Sequence, residues 1–327
     1  MISLDNAYLL TRGGPLGFSA VLANLHPHYG SYLGVAGGRE RARWIGQLRH
    51  MMGERSARVS FLMPTRDPQS TAALDLIEGL VCQAGDWGAY HVLADVEERS
   101  PVFEFFRRAG FSVYARQQIY RLILPGKDDQ KRLPKGWTFA RQGDEAAIRL
   151  LYQSLVPPLV QSAESFSSQR LQGLVFRYQD DVQGYVDIVA GPRGIFLQPL
   201  IHPSLEDAAP VIYNLVWNLF PLLGRPVYIA VRSYQAWLHD ILEKMPAQPG
   251  PKQTLMVKHL ANTQRALNLN SHLAVVEKHQ IEPTVPMVQN LMETTDQAYR
   301  FRQVDRLQIH NMRLKKQKDY GTTIYYR

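Results

Sequence analysis

The chain has one cysteine in 327 residues, Cys82. An intramolecular disulfide framework is therefore excluded, as is any zinc or iron–sulfur site built from several cysteines, and a reducing compartment is expected. Cys82 lies beside Val81 on an apolar helical pattern and reads as a buried, inert thiol. Long apolar runs are missing too. The most apolar window, Val211 to Leu223, is broken by Asn214, Asn218 and Pro221, and it is shorter than the ~18 residues a spanning helix needs. The start, Met-Ile-Ser-Leu-Asp-Asn, has no basic stretch ahead of an apolar core, so no secretory signal is expected. The protein reads as cytoplasmic, with no transmembrane segment. Glycine and proline, at 23 and 20, are too few for a collagen-like or low-complexity chain. His-Glu-x-x-His, Walker-type and Gly-x-Ser-x-Gly patterns are absent, which removes three common hydrolase signatures. His26 and His28 have no Cys, Asp or Glu beside them at a ligand spacing, so no metal site is expected.

What is present describes an ordinary globular chain of about two domains: 45% hydrophobic and 20% charged. The net charge of +8 is uneven, because residues 263–327 hold ten Lys/Arg against six Asp/Glu. That tail carries the cluster Arg313-Leu-Lys-Lys-Gln-Lys318. Its charge allows contact with nucleic acid or an anionic membrane through phosphate attraction, but no stacking-aromatic or zinc-finger module accompanies it.

An internal repeat organises the rest. A shift of 135 residues lays Phe61-Leu62-Met63-Pro64 on Phe196-Leu197-Gln198-Pro199, and Val81 and Val96 on Val216 and Val231. Ala73, Leu76, Ile77, Leu80, Val81 and Ala84 have the three-and-four spacing of an amphipathic helix, and Ala208, Val211, Ile212, Leu215, Val216 and Leu219 repeat it. Each helix follows a short strand (58–62; 194–197) and a proline-containing loop, and precedes a second strand (91–96; 227–231). Asp67-Pro68 and the pair Ser204/Asp207 supply helix-start signals, the second resembling a capping box. A further short helix and a closing strand (113–124; 254–260) complete each unit. The polar link 125–135 separates a first unit, 1–124, from a second, 136–261, and a tail follows at 262–327.

Ala94-Asp-Val-Glu-Glu-Arg-Ser-Pro-Val-Phe-Glu-Phe-Phe-Arg-Arg-Ala-Gly-Phe111 resembles the end of a GNAT-type N-acetyltransferase domain, where a strand, a short helix and a Gly-Phe pair lead into a closing antiparallel strand. Trp137-Thr-Phe-Ala-Arg and the helix after it resemble the opening of a second such domain. The implied fold is α/β with a mixed sheet, as two tandem GNAT-like acyl-CoA N-acyltransferase domains covering roughly 1–261. The resemblance implies acetyl-CoA or another acyl-CoA as cofactor and an amine of unknown identity as substrate.

The sequence departs from that superfamily at the residues that carry its chemistry. The glycine-rich Gln/Arg-x-x-Gly-x-Gly/Ala loop, whose backbone N–H groups hold the pyrophosphate, is missing from both units. In the first, Arg66 can pair with a phosphate while Gln69, Ser70 and Thr71 offer N–H groups at the helix start. In the second, Glu206 and Asp207 oppose an anion. The first unit is therefore favoured for acyl-CoA. The tyrosine that protonates the leaving thiolate in many relatives is replaced by Phe106, and Ile241 stands at the shifted position. Glu97 and Glu98, at a strand end, are the candidate bases. The alternative is a non-catalytic binding or scaffold protein that kept the fold and lost CoA binding.

Overall fold

Period-two and three-to-four patterns alternate along the chain, and the elements follow them. The computed structural model describes residues 1–14, 29–37, 44–63, 71–123, 136–166, 172–205, 208–219 and 225–260. All fall in one compact unit, Met1–Ser271; the second unit, His272–Arg327, lies outside the described residues. In chain order the elements are β1 (Ile2–Ser3), α1 (Asn6–Arg12), β2 (Tyr29–Ala36), β3 (Trp44–Met51), β4 (Ser56–Met63), α2 (Thr71–Asp86), β5 (His91–Glu97), α3 (Val102–Arg108) and β6 (Ser112–Leu122). Then come β7 (Trp137–Phe139), α4 (Glu145–Leu155), α5 (Pro158–Ala163), β8 (Gly173–Tyr178), β9 (Asp181–Ala190), β10 (Ile195–Ile201), α6 (Ala208–Leu219), β11 (Val227–Arg232), α7 (Leu238–Glu243) and β12 (Ala247–His259).

The order strand, helix, strand, helix, strand thus occurs twice, at β4 to β6 and at β10 to β12. Ala73, Ile77 and Leu80 of α2 are buried, and so are Ala208, Ile212 and Leu215 of α6, the residues 135 positions on. Helix α3 stops where expected, since Gly110 takes φ +84°, a left-handed conformation that favours glycine. Two expectations need correction. Cys82 is exposed: at 100° per residue it lies opposite the buried stripe of Ala73, Ile77, Leu80 and Ala84. Strand β12 starts at Ala247, seven residues earlier than its pattern suggests. A register shift between Pro249 and Lys252 absorbs prolines that would otherwise interrupt a ladder. The Ser204 N–H and hydroxyl engage His202 Nδ1 at 3.3 and 2.5 Å, while its expected partner Asp207 lies outside the described residues.

All twelve strands belong to one sheet, ordered β2-β3-β4-β5-β12-β6-β11-β10-β9-β8-β7, with β1 paired to β4. Pairs β4/β5 and β10/β11 are parallel. The closing strands are exchanged between the two halves. Strand β12 runs antiparallel to β5 from Gln253↔Glu97 to His259↔His91, and β6 runs antiparallel to β11 from Val227↔Leu122 to Arg232↔Gln117. The two closing strands also pair with each other, so the sheet is continuous through both halves. Alternation divides it into two faces. Val92, Ala94 and Val96 pack under α2 and α3, and Ile195, Leu197 and Ile201 under α6 and α7. On the opposite face Leu93, Leu255 and Leu200 meet α4 and α5, while Phe196, Ile119 and Ala230 meet Ala7 and Leu10 of α1. Each fully buried Leu, Ile or Phe contributes about 1.5–3 kcal/mol. No helix among the described residues is long and apolar enough to cross a membrane.

Candidate functional site

Where parallel strands diverge, backbone N–H and C=O groups lose their partners, and something must replace them. Ligands of open α/β sheets bind outside the carboxyl ends of the strands for that reason. Strands β4 and β5 pair only from Ser56↔His91 to Arg58↔Leu93. Beyond that point the gap is filled by the chain's own N-terminal segment. Ile2 and Ser3 pair antiparallel with Leu62 and Phe61. The Leu4 N–H donates to the Ser60 carbonyl at 2.9 Å and the Leu4 carbonyl accepts from the Asp95 N–H at 2.8 Å, so one residue bridges both strands. The Leu4 side chain is 1% exposed, in the core with Trp44, Leu48 and Leu62.

Polar groups lock this segment in place. Asp5 caps α1 by accepting from the Tyr8 N–H at 3.1 Å and forms an ion pair with Arg49 at 3.5 Å. The Arg49 guanidinium lies 3.8 Å over the Tyr8 ring. The Asn6 N–H donates to Asp95 at 3.1 Å. Burial pushes the Asp95 carboxyl up, with Arg58 opposing that shift. The far end of α1 docks on the turn between β9 and β10: the Arg193 N–H donates to the Thr11 carbonyl at 2.9 Å, and a Cβ on Gly191 would collide with that same carbonyl. Glycine is required there by close approach.

Strands β10 and β11 pair over an equally short stretch, Ile195↔Val227 to Leu197↔Ile229, and side chains occupy the gap that follows. The Ile195 N–H donates to Pro226, so the odd residues of β10 face β11. Pro199 therefore offers the gap no N–H. The Ile201 N–H donates to Gln235 Oε1 at 3.3 Å, and the Ile201 carbonyl accepts from Gln235 Nε2 at 2.8 Å. Among the described residues no strand lies between β10 and β11.

Above this second gap sits a buried charge cluster. Arg232, at the end of β11, donates through Nη2 to Glu164 Oε2 at 3.0 Å and to Gln198 Oε1 at 3.2 Å. Arg58 donates to the same Glu164 at 3.0 Å, and the Tyr114 hydroxyl also donates to it. The Tyr152 hydroxyl holds the Glu164 backbone carbonyl at 2.5 Å. Burial alone would raise the Glu164 carboxyl, but Arg232, Arg58 and Tyr114 outweigh it and lower it to about 2. Glu164 is thus a fixed anion between two cations, too weak a base to take a proton near neutrality. Burial pushes the Tyr234 phenol up, with Arg232 opposing and Glu164 adding to the rise, so Tyr234 keeps its proton.

Residues singled out from the sequence are scattered. Glu97 ends β5 and is exposed, as is Glu98, which pairs with Arg116 at 3.3 Å. Thr71 is the first residue of α2 and exposed. Arg66, Gln69, Ser70, Glu206, Asp207, His26 and His28 lie outside the described residues. Phe106 is fully buried, edge-on to Phe105 and Phe111. His239 is half-buried and hydrogen-bonded to the Tyr120 hydroxyl at 2.8 Å. The N-terminal plug and the Arg58–Glu164–Arg232 cluster were missed. A signal for the first exists, since the 135-residue offset places Ile2 on Trp137, which opens β7. The second joins residues 68 to 106 positions apart and leaves no local trace.

The chain thus repeats one strand–helix–strand–helix–strand order around two short parallel pairs within a single mixed α/β sheet. No family model matches the sequence, and no curated protein is similar to it in sequence. Among solved structures it is similar to a tandem GNAT protein from the clavulanic acid biosynthesis pathway, at 15% identity and TM-score 0.45 over 77% of this chain and 93% of that one. It is also similar to a GCN5-related N-acetyltransferase from Kribbella flavida (13%, TM-score 0.44, 71% and 91%). A third, from Sphaerobacter thermophilus, gives 12%, TM-score 0.42, 66% and 76%. Likeness at this level transfers no residue role.

Proposed function

We propose that this chain is a GNAT-like protein that transfers an acyl group from acyl-CoA to an amine in the cleft at the ends of β10 and β11, the first cleft being closed by its own N-terminal strand. The observation that carries this choice is Leu4, bonded at once to Ser60 of β4 and Asp95 of β5. An acyl arm laid between those strands would have to displace it. The second cleft is bridged, among the described residues, by side chains: Gln235 on Ile201, and Arg232 and Tyr234 on Gln198.

In this reading the amine nitrogen attacks the thioester carbonyl, the C–S bond breaks, and the amine loses its proton to solvent. The Ile201 N–H, held at 3.3 Å by a displaceable side chain, polarises the carbonyl, and Tyr234 gives its proton to the departing thiolate. Glu97 and Glu98 then serve as solvated acids of the closed half. A second reading, favoured by Pro199 and by Phe106, is a non-catalytic binding or scaffold protein that kept the fold and lost CoA binding.

Calorimetric titration of acetyl-CoA into the full chain separates these readings. A hydrogen bond is worth about 0.5–1.5 kcal/mol net, so Gln235→Ala, which frees Ile201, should tighten binding about two- to tenfold. Arg66→Ala should leave it unchanged. Weakening by Arg66→Ala would move the cofactor to the first half, and absence of heat at millimolar ligand in every form would leave the scaffold reading.

A further inference from the structure

His91 and His259 face each other across the pairing of β5 and the exchanged strand β12, as the last residue pair of that ladder. Their Nδ1 atoms are 3.1 Å apart, with the rings edge to face at 87°. The His91 ring is buried and also hydrogen-bonds the Ser162 backbone. His259 is exposed, so an ion can enter from solvent.

We propose that His91 and His259 form a two-histidine site for a divalent transition-metal ion that clamps β12 to β5. Imidazole nitrogens lie about 2.0–2.1 Å from Zn2+, and two such nitrogens 3.1 Å apart subtend roughly 100° at the ion, between the octahedral and tetrahedral angles. Binding replaces the Nδ1–H···Nδ1 hydrogen bond. Both Nδ1 lone pairs go to the metal, and His259 carries its proton on Nε2, so neither ring changes charge. Among the described residues no third His, Cys, Asp or Glu stands with them, so water completes the shell. Arg55 is the neighbouring charge that opposes a cation here.

Zn2+ alone is titrated into chelator-treated full-length chain and into His259→Ala, with imidazole NMR signals and thermal melts as readouts. The wild type should show both rings shifting at one saturable stoichiometry and a raised melting temperature. The variant should lose that site, with at least a tenfold weaker response. His91→Asn provides a second variant, and it should lose the same site. Identical titrations for wild type and His259→Ala, or unshifted His91 and His259 signals, would overturn the site and leave an ordinary histidine hydrogen bond.

Discussion

Strands β4 and β5 diverge after three residue pairs around a backbone segment, whereas β10 and β11 diverge after three pairs around side chains. The opening strands of the two halves explain the difference. Strand β7 pairs with β8 at the outer edge of the sheet, while β1, at the corresponding place in the first half, pairs with β4 in the interior. One gap is therefore closed by main-chain hydrogen bonds and a buried Leu, the other by amides and a guanidinium. A main-chain plug backed by a core residue resists displacement far more than a side chain that can rotate away.

The largest effect expected comes from removing that plug. Deleting residues 1–6 takes Leu4 from the core and leaves the Ser60 carbonyl and Asp95 N–H without partners. Burial loss of about 2–5 kcal/mol and about 1–3 kcal/mol for each buried unpaired group should leave the first half barely folded in urea titration. A stable deletion variant would mean that the plug is incidental. Next comes Glu164→Ala, which strands two cations and should cost about 3–5 kcal/mol at pH 7. Because the folded Glu164 carboxyl is lowered to about 2, its contribution is complete above the ordinary carboxylate range near 4.3 and is lost as pH falls toward about 2. Wild type should lose stability over that acid window, and Glu164→Gln should lose less of it.

Gly191→Val tests the tie between halves. Its Cβ would strike the Thr11 carbonyl, so the helix α1 contact should loosen at a cost of about 1–3 kcal/mol, read by hydrogen exchange of the Arg193 amide. The smallest change expected is Pro199→Ala. Returning an N–H to the second gap should alter stability by no more than about 1 kcal/mol while strengthening acetyl-CoA binding; weaker binding would show that Pro199 shapes the cleft by means other than its missing donor.

The sequence showed α2, α6 and the inner strands of both halves, though not α1 or α5, because a buried stripe such as Ala73, Ile77 and Leu80 is written locally and recurs at Ala208, Ile212 and Leu215. Strand exchange was not legible. Nothing in Ser112–Leu122 or Ala247–His259 says which half's parallel pair each will meet, since both candidates are apolar and of similar length. The candidate site was legible only in its losses, the missing glycines and Phe106. Leu4 directly follows a two-residue strand too short to show a period, and Glu164 meets Arg58 and Arg232 only after the sheet is built.

Amide hydrogen exchange with and without saturating acetyl-CoA tests the central claim most directly. The Leu4 and Asp95 amides, bonded inside the first cleft, should be protected to the level of the core and unchanged by the ligand, while protection at Ile201 should change. Ligand-dependent exchange at Leu4 or Asp95 with Ile201 unaffected would place the ligand in the first cleft and contradict the account.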